Sequence, residues 1–176
     1  MAQDMSNKIF SGRVCRIGDN VSTDHIFPSR RLTVYDPKET GKYALEGYGS
    51  GYPERIQPGD ILVAGENLGF GSSREQAPWA LKSAGFQTVI AKSFARIFFR
   101  NCLNIGLPAL TAIQLPDEVI DDVSLQVNMK EGWALIVDTN IRFQLEPLPE
   151  FLLEYVREGG LIPFLKSMPQ RSKLSR

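Results

Sequence analysis

Between Asp60 and Ala112 the chain repeats one pattern, a short apolar run followed by a stretch of helical spacing, and few architectures accept that order. Residues 61–65, 87–91 and 107–112 are brief, apolar and bounded by turn residues, which reads as buried strands. Helices are expected between them, over 74–84 and 94–104. In the first, Ala77, Ala80, Leu81 and Ala84 share a face and Gly85 ends the pattern; in the second, Ser93 suits the N-cap, Gly106 the end and Pro108 the stop. A βαβαβ unit of this kind needs parallel strands joined by crossovers, so the expected class is α/β.

The flanks read differently. Ile9 to Val14 alternates as a strand and then enters the polar loop Gly18-Asp19-Asn20-Val21-Ser22-Thr23-Asp24-His25. From Thr40 to Gly59 the composition is rich in Gly and Tyr, as expected of a mobile surface excursion able to act as a flap. The last third reads as short antiparallel strands over 124–128, 134–138 and 141–145, with a closing helix from Pro149 to Arg157 ended by Gly159-Gly160. At 176 residues the chain can bury one good core, so residues 1–166 are expected to form a single domain and 167–176 a polar tail.

Composition excludes several function classes. Basic and acidic side chains number 20 each, so no long-range field points to nucleic acid or a membrane surface, and any anion binding has to be local. No apolar run approaches the roughly 20 residues of a membrane span. Met1 to Phe10 is too polar for a signal peptide, which makes a cytoplasmic location the simplest expectation. Cys15 and Cys102 form no CxxC pair and are expected to be buried thiols; no disulfide framework, zinc site or iron-sulfur site is indicated on this chain.

At the first strand-to-helix handover lies Gly69-Phe70-Gly71-Ser72-Ser73-Arg74-Glu75, which joins two glycines, two hydroxyls and a guanidinium. Backbone N–H groups at a helix start carry partial positive charge, and Arg74 adds a planar fork for a carboxylate. The segment does not end in Gly-Lys-Ser/Thr as a nucleotide phosphate loop would, nor does it carry the third glycine of a dinucleotide fingerprint. A purely structural alternative has Ser73 capping the helix, with Gln76 completing a capping box. That alternative leaves a cation in the first turn unexplained unless an anion lies beside it.

Other candidates sit elsewhere in the chain. His25 is the one histidine and lies in a different loop, so a serine hydrolase triad around Ser72 would need that loop to reach the glycine corner. Asp24 is either a turn carboxylate or a site residue under the same condition. Arg30 and Arg31 follow Pro28 and read as a solvated face, or as recognition groups beside an anionic substrate; Arg96 and Arg100, one helical turn apart, also read first as a solvated face and otherwise as lining a site or a partner contact.

Taken together, Gly18 to Ile26, Gly65 to Pro78, Ser93 to Asn101 and Gly106-Leu107-Pro108 resemble, in order, the signatures of the small subunits of 3-isopropylmalate dehydratase and homoaconitase, related to the C-terminal domain of aconitase. The resemblance runs from Phe10 to Lys166, and its Gly-Ser-Ser-Arg-Glu block is highly specific. It implies a swivelling β/β/α domain that docks on a large subunit, and that partner carries a 4Fe-4S cluster whose open iron acts as a Lewis acid on the substrate hydroxyl and carboxylate. It implies that Ser72 abstracts a carbon-bound proton, that Ser73 and Arg74 contact a substrate carboxylate, and that Asp24 matches an aspartate near the active site. A serine hydroxyl is a poor base in water, so the helix start and Arg74 would have to stabilise its alkoxide.

The same resemblance places substrate selection in the loop after Pro28. Isopropylmalate enzymes resemble Tyr-Leu-Val-Tyr there and homoaconitase-like ones Tyr-Leu-Arg-Thr, whereas this chain has Arg31-Leu32-Thr33-Val34. Thr33 offers no partner to a third carboxylate, which favours isopropylmalate or another substituted malate, although Arg31 in place of the tyrosine is a rival carboxylate partner. Phe70 and Gln76 replace the commoner cysteine and histidine and are expected to tune activity. The leading expectation is a hydro-lyase subunit for a small di- or tricarboxylate; a non-catalytic anion-binding module and a serine hydrolase are the alternatives.

Overall fold

The computed structural model describes residues 9–168. Its strands are β1 (Ile9–Arg16), β2 (Ile61–Ala64), β3 (Thr88–Ala91), β4 (Ala109–Thr111), β5 (Ser124–Asn128), β6 (Trp133–Ile136) and β7 (Ile141–Gln144). The helices are α1 (Thr23–Ile26), α2 (Pro37–Thr40), α3 (Tyr52–Arg55), α4 (Gln76–Ala84), α5 (Arg96–Asn104), α6 (Leu115–Glu118), α7 (Glu150–Glu158) and α8 (Leu161–Ser167).

The strands form one sheet in the order β4-β3-β2-β1-β5-β6-β7. The first four are mutually parallel, with Val14 opposite Ile61, Leu62 opposite Val89 and Ile90 opposite Leu110. From β1 onward the pairing is antiparallel, with Phe10 opposite Val127, Val127 opposite Ala134 and Ala134 opposite Phe143. The expected βαβαβ unit is therefore present.

Side chains alternate across the sheet and create two cores. Cys15, Leu62, Ala64, Val89, Ala91 and Ala109 face α4, α5 and the loops around α1. Val14, Ile61, Val63, Ile90 and Leu110 face the other way, onto Leu125, Val127, Ala134, Ile136 and Phe143 of the antiparallel half. The sheet is curled enough for this because the chain leaving β7 returns to β4, where the Glu146 amide donates to the Thr111 carbonyl at 2.9 Å. The layering is β/β/α. Every residue of β2 and β3 is buried, as expected for central parallel strands covered on both faces.

Several local expectations need correction. Ser93 does not cap α5: Ala95 occupies that position, and the Ser93 hydroxyl accepts from the Asn67 amide at 2.8 Å. Ser73 does not cap α4, whose preceding residue is Glu75 with no side-chain cap. Gly159-Gly160 ends α7 but is followed by α8, because Pro163 falls in that helix's first turn, where proline is tolerated. Of the expected tail, Ser167 closes α8, and residues 169–176 lie outside the described residues.

Residues 40–59 are the largest departure. Ala44 and Leu45 are fully buried, Thr40 nearly so, and Tyr43, Tyr48, Tyr52 and Ile56 pack on the same core. Gly47 lies against the backbone of Asp24 and His25, so closely that a Cβ there would fall 2.3 Å from the Asp24 carbonyl oxygen. The tyrosines that made the segment look loop-like supply apolar area, and the excursion is a buttress beneath α1. Leu45 holds it at φ 61°, a left-handed conformation unusual for leucine, with its amide donating to the Ile26 carbonyl at 2.8 Å. Leu45→Ala is expected to cost about 2–5 kcal/mol, the range for emptying a buried leucine site. Urea denaturation with an unchanged m-value checks it.

Candidate active site

Beyond their last residues β1, β2 and β3 run into loops that stay bonded to one another. The Gly65 amide donates to Gly18 O at 3.1 Å, Asn20 N to Glu66 O at 2.8 Å, Gly69 N to Val21 O at 2.7 Å and Thr23 N to Phe70 O at 2.8 Å. On the other side Leu68 N donates to Ser93 O at 3.0 Å and Ala95 N to Leu68 O at 2.9 Å. The loops thus form a ledge at the carboxyl ends of parallel strands, where open α/β sheets place ligands.

Close backbone approach explains the glycines. A Cβ on Gly65 would lie 1.7 Å from Asp19 Oδ1, which accepts from the Glu66 amide at 2.7 Å. One on Gly69 would meet the Phe98 ring at 2.1 Å, and Gly69 and Gly71 have φ of 81° and 107°. Asn20 and Asn67 are also left-handed and bond through their side chains at 3.0 Å.

The ledge carries Ser72, Ser73 and Arg74 against α1. Arg74 Nε donates to Ser72 Oγ at 2.6 Å, and the Arg74 amide donates to the same oxygen at 3.3 Å. Thr23 Oγ1 accepts from the Ser72 amide at 3.1 Å and lies 3.4 Å from Ser72 Oγ as a donor. Arg74 Nη1 reaches Asp24 Oδ1 at 3.3 Å and Phe27 O at 3.2 Å, and both terminal nitrogens reach Ser29 Oγ at 3.3 Å. The guanidinium is mostly enclosed, its side chain only 16% exposed. Ser29 donates to Asp24 Oδ1 through both its amide, at 2.8 Å, and its hydroxyl. These two bonds first, and Arg74 next, hold the Asp24 carboxyl below the usual aspartate range, so it is a settled anion.

The structure brings Ser72, Arg74 and Asp24 together, with Ser73 exposed beside them and its carbonyl accepting from Asn101 Nδ2 at 3.2 Å. Arg74 precedes α4, so the dipole argument does not apply to it, and Ser72 Oγ takes its bonds from Arg74 and Thr23. Arg31 is not an open group. Its Nε and Nη2 donate to the two oxygens of Glu46 at 2.9 and 2.8 Å, and its guanidinium lies 4.2 Å over the Tyr43 ring. Leu32 is half-buried against the helical core, and Thr33 is exposed at the loop tip.

His25 does not serve Ser72. Its amide donates to Ser22 Oγ at 3.2 Å and its Nδ1 accepts from the Ser22 amide at 3.1 Å, a reciprocal cap of α1. The groups of a hydrolase triad are therefore not assembled. Sequence reasoning missed Thr23 and Ser29 as individual participants, although both adjoin the Asp24 motif, and missed Glu46 because it sits in the segment read as mobile.

A recess of about 320 Å³ opens at the ledge, lined by Gly69, Gly71, Ser72, Ala95, Arg96 and Ile97. The stretch that builds the ledge, residues 16–115, matches the aconitase C-terminal domain. The chain belongs to the aconitase C-terminal domain family. Within it, the chain is 42% identical over 158 residues to the 3-isopropylmalate dehydratase small subunit 1 of Methanopyrus kandleri, covering 90% of this chain and 93% of that one. It is 45% identical over 165 residues to the 3-isopropylmalate dehydratase small subunit of Nautilia profundicola, covering 94% and 99%. The isopropylmalate/citramalate isomerase small subunit of Methanocaldococcus jannaschii is 42% identical over 165 residues, covering 94% and 98%.

A crystal structure of 3-isopropylmalate dehydratase from Methanocaldococcus jannaschii superposes with a TM-score of 0.86 at 39% identity, covering 90% of this chain and 94% of that one. The expected family and β/β/α fold are thus borne out. Among the described residues no helix is long and apolar enough to cross a membrane.

The Glu46 clamp has a pH signature. Arg31, bonded to both oxygens, pulls the Glu46 carboxyl from 4.5 to about 2, with Arg30 assisting. A carboxylate depressed in the folded state contributes stability above its unfolded value, and that contribution disappears as pH falls through the folded one. Glu46→Gln is therefore expected to flatten the dependence of stability on pH between 4.5 and about 2, read from urea midpoints across that window.

Proposed function

We propose that this chain is the small subunit of 3-isopropylmalate dehydratase, interconverting 2-isopropylmalate and 3-isopropylmalate in leucine biosynthesis by dehydration and rehydration, together with a large subunit. The observation that supports it most is the 2.6 Å bond from Arg74 Nε to Ser72 Oγ inside the family's most specific block. Aconitase relatives use an iron-sulfur cluster, and the thiols here do not fit one. Cys15 lies within β1 and Cys102 within α5, both buried; burial pushes the Cys15 thiol up to about 12 and Cys102 upward as well. Among the described residues no three His, Cys, Asp or Glu side chains are placed to hold a metal ion. We assign the 4Fe-4S cluster to the large subunit, where it would supply a Lewis acid for the substrate hydroxyl and one carboxylate.

The part assigned to this chain is proton transfer. Ser72 Oγ is surrounded by donors: the Arg74 guanidinium, the Arg74 amide and the Thr23 hydroxyl. Donors and an adjacent cation favour the charged form of an oxygen, so they lower the cost of the alkoxide that takes a proton from carbon and later returns it. Asp24 acts through Arg74, whose position it fixes with Ser29. Ser73 and the remaining N–H capacity of Arg74 meet one substrate carboxylate. The filled Arg31 fork and the uncharged Thr33 support a dicarboxylate with an apolar substituent over a tricarboxylate.

Anaerobic reconstitution with the large subunit, assayed on 2-isopropylmalate, citramalate, homocitrate and citrate, tests the assignment. Turnover is expected on the substituted malates, and preference for homocitrate would overturn the substrate reading. Ser72→Ala is expected to lower kcat about 100- to 10,000-fold, the usual weight of a general base. Full turnover by that variant would remove Ser72 from its role. Arg74→Lys is expected to lose about 10- to 100-fold in kcat, because three N–H groups on one nitrogen cannot serve Ser72, Asp24, Phe27 and Ser29 at once.

A further inference from the structure

Helix α5 carries two arginines whose charges nothing among the described residues answers. Arg96 and Arg100 lie one turn apart on one face, both exposed, and neither side chain makes a hydrogen bond or an ion pair there. The other described arginines are engaged, among them Arg13 with Asp60, Arg31 with Glu46, Arg55 with Asp121 and Arg74 with Asp24. Glu150 is bonded to Arg157 at 3.1 Å, and neither Glu146 nor Glu154 pairs with the two α5 arginines. On a chain with 20 basic and 20 acidic side chains this is a local excess of positive charge.

The two arginines border an apolar groove. About 370 Å³ in volume, it lies between α5 and α7 and is lined by Phe99, Leu103, Phe151 and Tyr155 together with Arg96 and Arg100. Tyr155 meets the Phe151 ring edge-on at 6.0 Å and the Phe164 ring of α8 at 4.9 Å, so the aromatic wall is held in place. Phe151 is nevertheless 55% exposed. Arginine beside aromatic side chains is the composition that the centres of protein–protein interfaces favour.

Continuity decides which partner fits. Arg96 borders this groove and also the recess of Ser72, whose rim carries the exposed Ile97. Ser72 meets the substrate where the large subunit presents it, so that subunit has to close over the Ser72 recess, and its surface runs on past Arg96 into the groove. A second copy of this chain seated on the groove would stand at the same rim and obstruct that approach.

We propose that the groove between α5 and α7 is part of the surface that docks the large subunit, and that it receives an apolar side chain flanked by carboxylates. The inference rests on the small-subunit reading above and adds a place of contact outside the reacting groups. The apolar side chain packs on Phe151 and Leu103, and the carboxylates answer Arg96 and Arg100. Paired charges at such a rim fix the orientation of docking, and with it the way Ser72 is presented to the substrate.

Arg100 and Phe151 line the groove and not the Ser72 recess, so changes there separate docking from chemistry. Association of the full chain with its cluster-loaded large subunit is measured anaerobically by titration calorimetry at low and high salt. Phe151→Ala is expected to raise Kd about tenfold, and Arg100→Glu about 10- to 100-fold. Wild-type affinity is expected to fall as salt rises, and Arg100→Glu to flatten that dependence. With enough large subunit to restore the complex, both variants are expected to keep the wild-type kcat.

Kd values within about twofold of wild type in both variants overturn the proposal, and Arg100→Glu, a change on an exposed helix face, keeps the test open if Phe151→Ala fails to fold. Unchanged Kd with a lowered kcat would place the groove in the chemistry and overturn it too. Loss of self-association by the variants, with large-subunit affinity unchanged, would make the occupant a second copy. If both variants weaken docking while the wild-type complex leaves isopropylmalate untouched, the docking surface stands and the assigned reaction falls.

Discussion

The double pairing of β1 is the constraint on which the rest of the molecule depends. Its later residues, Val14 to Arg16, pair in parallel with β2, and its earlier ones, Ile9 to Arg13, pair antiparallel with β5. One strand therefore joins a sheet covered by helices to a sheet that folds back over it. Because side chains alternate, Cys15 enters one core while Val14 and Phe10 enter the other. The parallel register also aims the chain leaving β1 along the chain leaving β2. The ledge is that register continued beyond the strands, and it carries Thr23 and Asp24 to Ser72 and Arg74.

On that ledge the arginines have separate duties. Arg74 is enclosed and engaged on both edges, holding Ser72 on one and the Asp24–Ser29 pair on the other. Arg31 is clamped by Glu46 and stacked on Tyr43, which steadies the loop carrying Leu32 and Thr33. The Arg96 side chain at the start of α5 has no ion pair among the described residues, and that helix's first turn holds no acidic residue. The buttress of residues 40–59 supports this arrangement through Leu45 and Gly47, which fix α1 from below.

Much of the fold was legible. The βαβαβ unit was readable because buried strands and amphipathic helices have different periods, and the bounds moved by only one or two residues at most ends. The capping assignments were not, since Ser73 and Ser93 have the right chemistry for caps but are drawn into the ledge by partners distant in sequence. The Tyr- and Gly-rich excursion misled for a related reason: its glycines permit close packing against α1 as well as free turns. At the site, the Ser72-Ser73-Arg74 block and Asp24 were readable from composition and resemblance. Glu46, Ser29 and Thr23 carried no local pattern, because their significance comes from contacts across the loops.

The sequence by itself determined the class of the fold, the family and the block of residues that carries Ser72, because periodicity and short motifs are local and survive without coordinates. Only the tertiary structure decided how each charge is used. Arginines 31, 74 and 96 are chemically identical in sequence, and what separates them is whether a carboxylate or hydroxyl lies within hydrogen-bond reach. That is set by the register of β1 on β2 and by the packing of residues 40–59 beneath α1, which bring together groups dozens of positions apart.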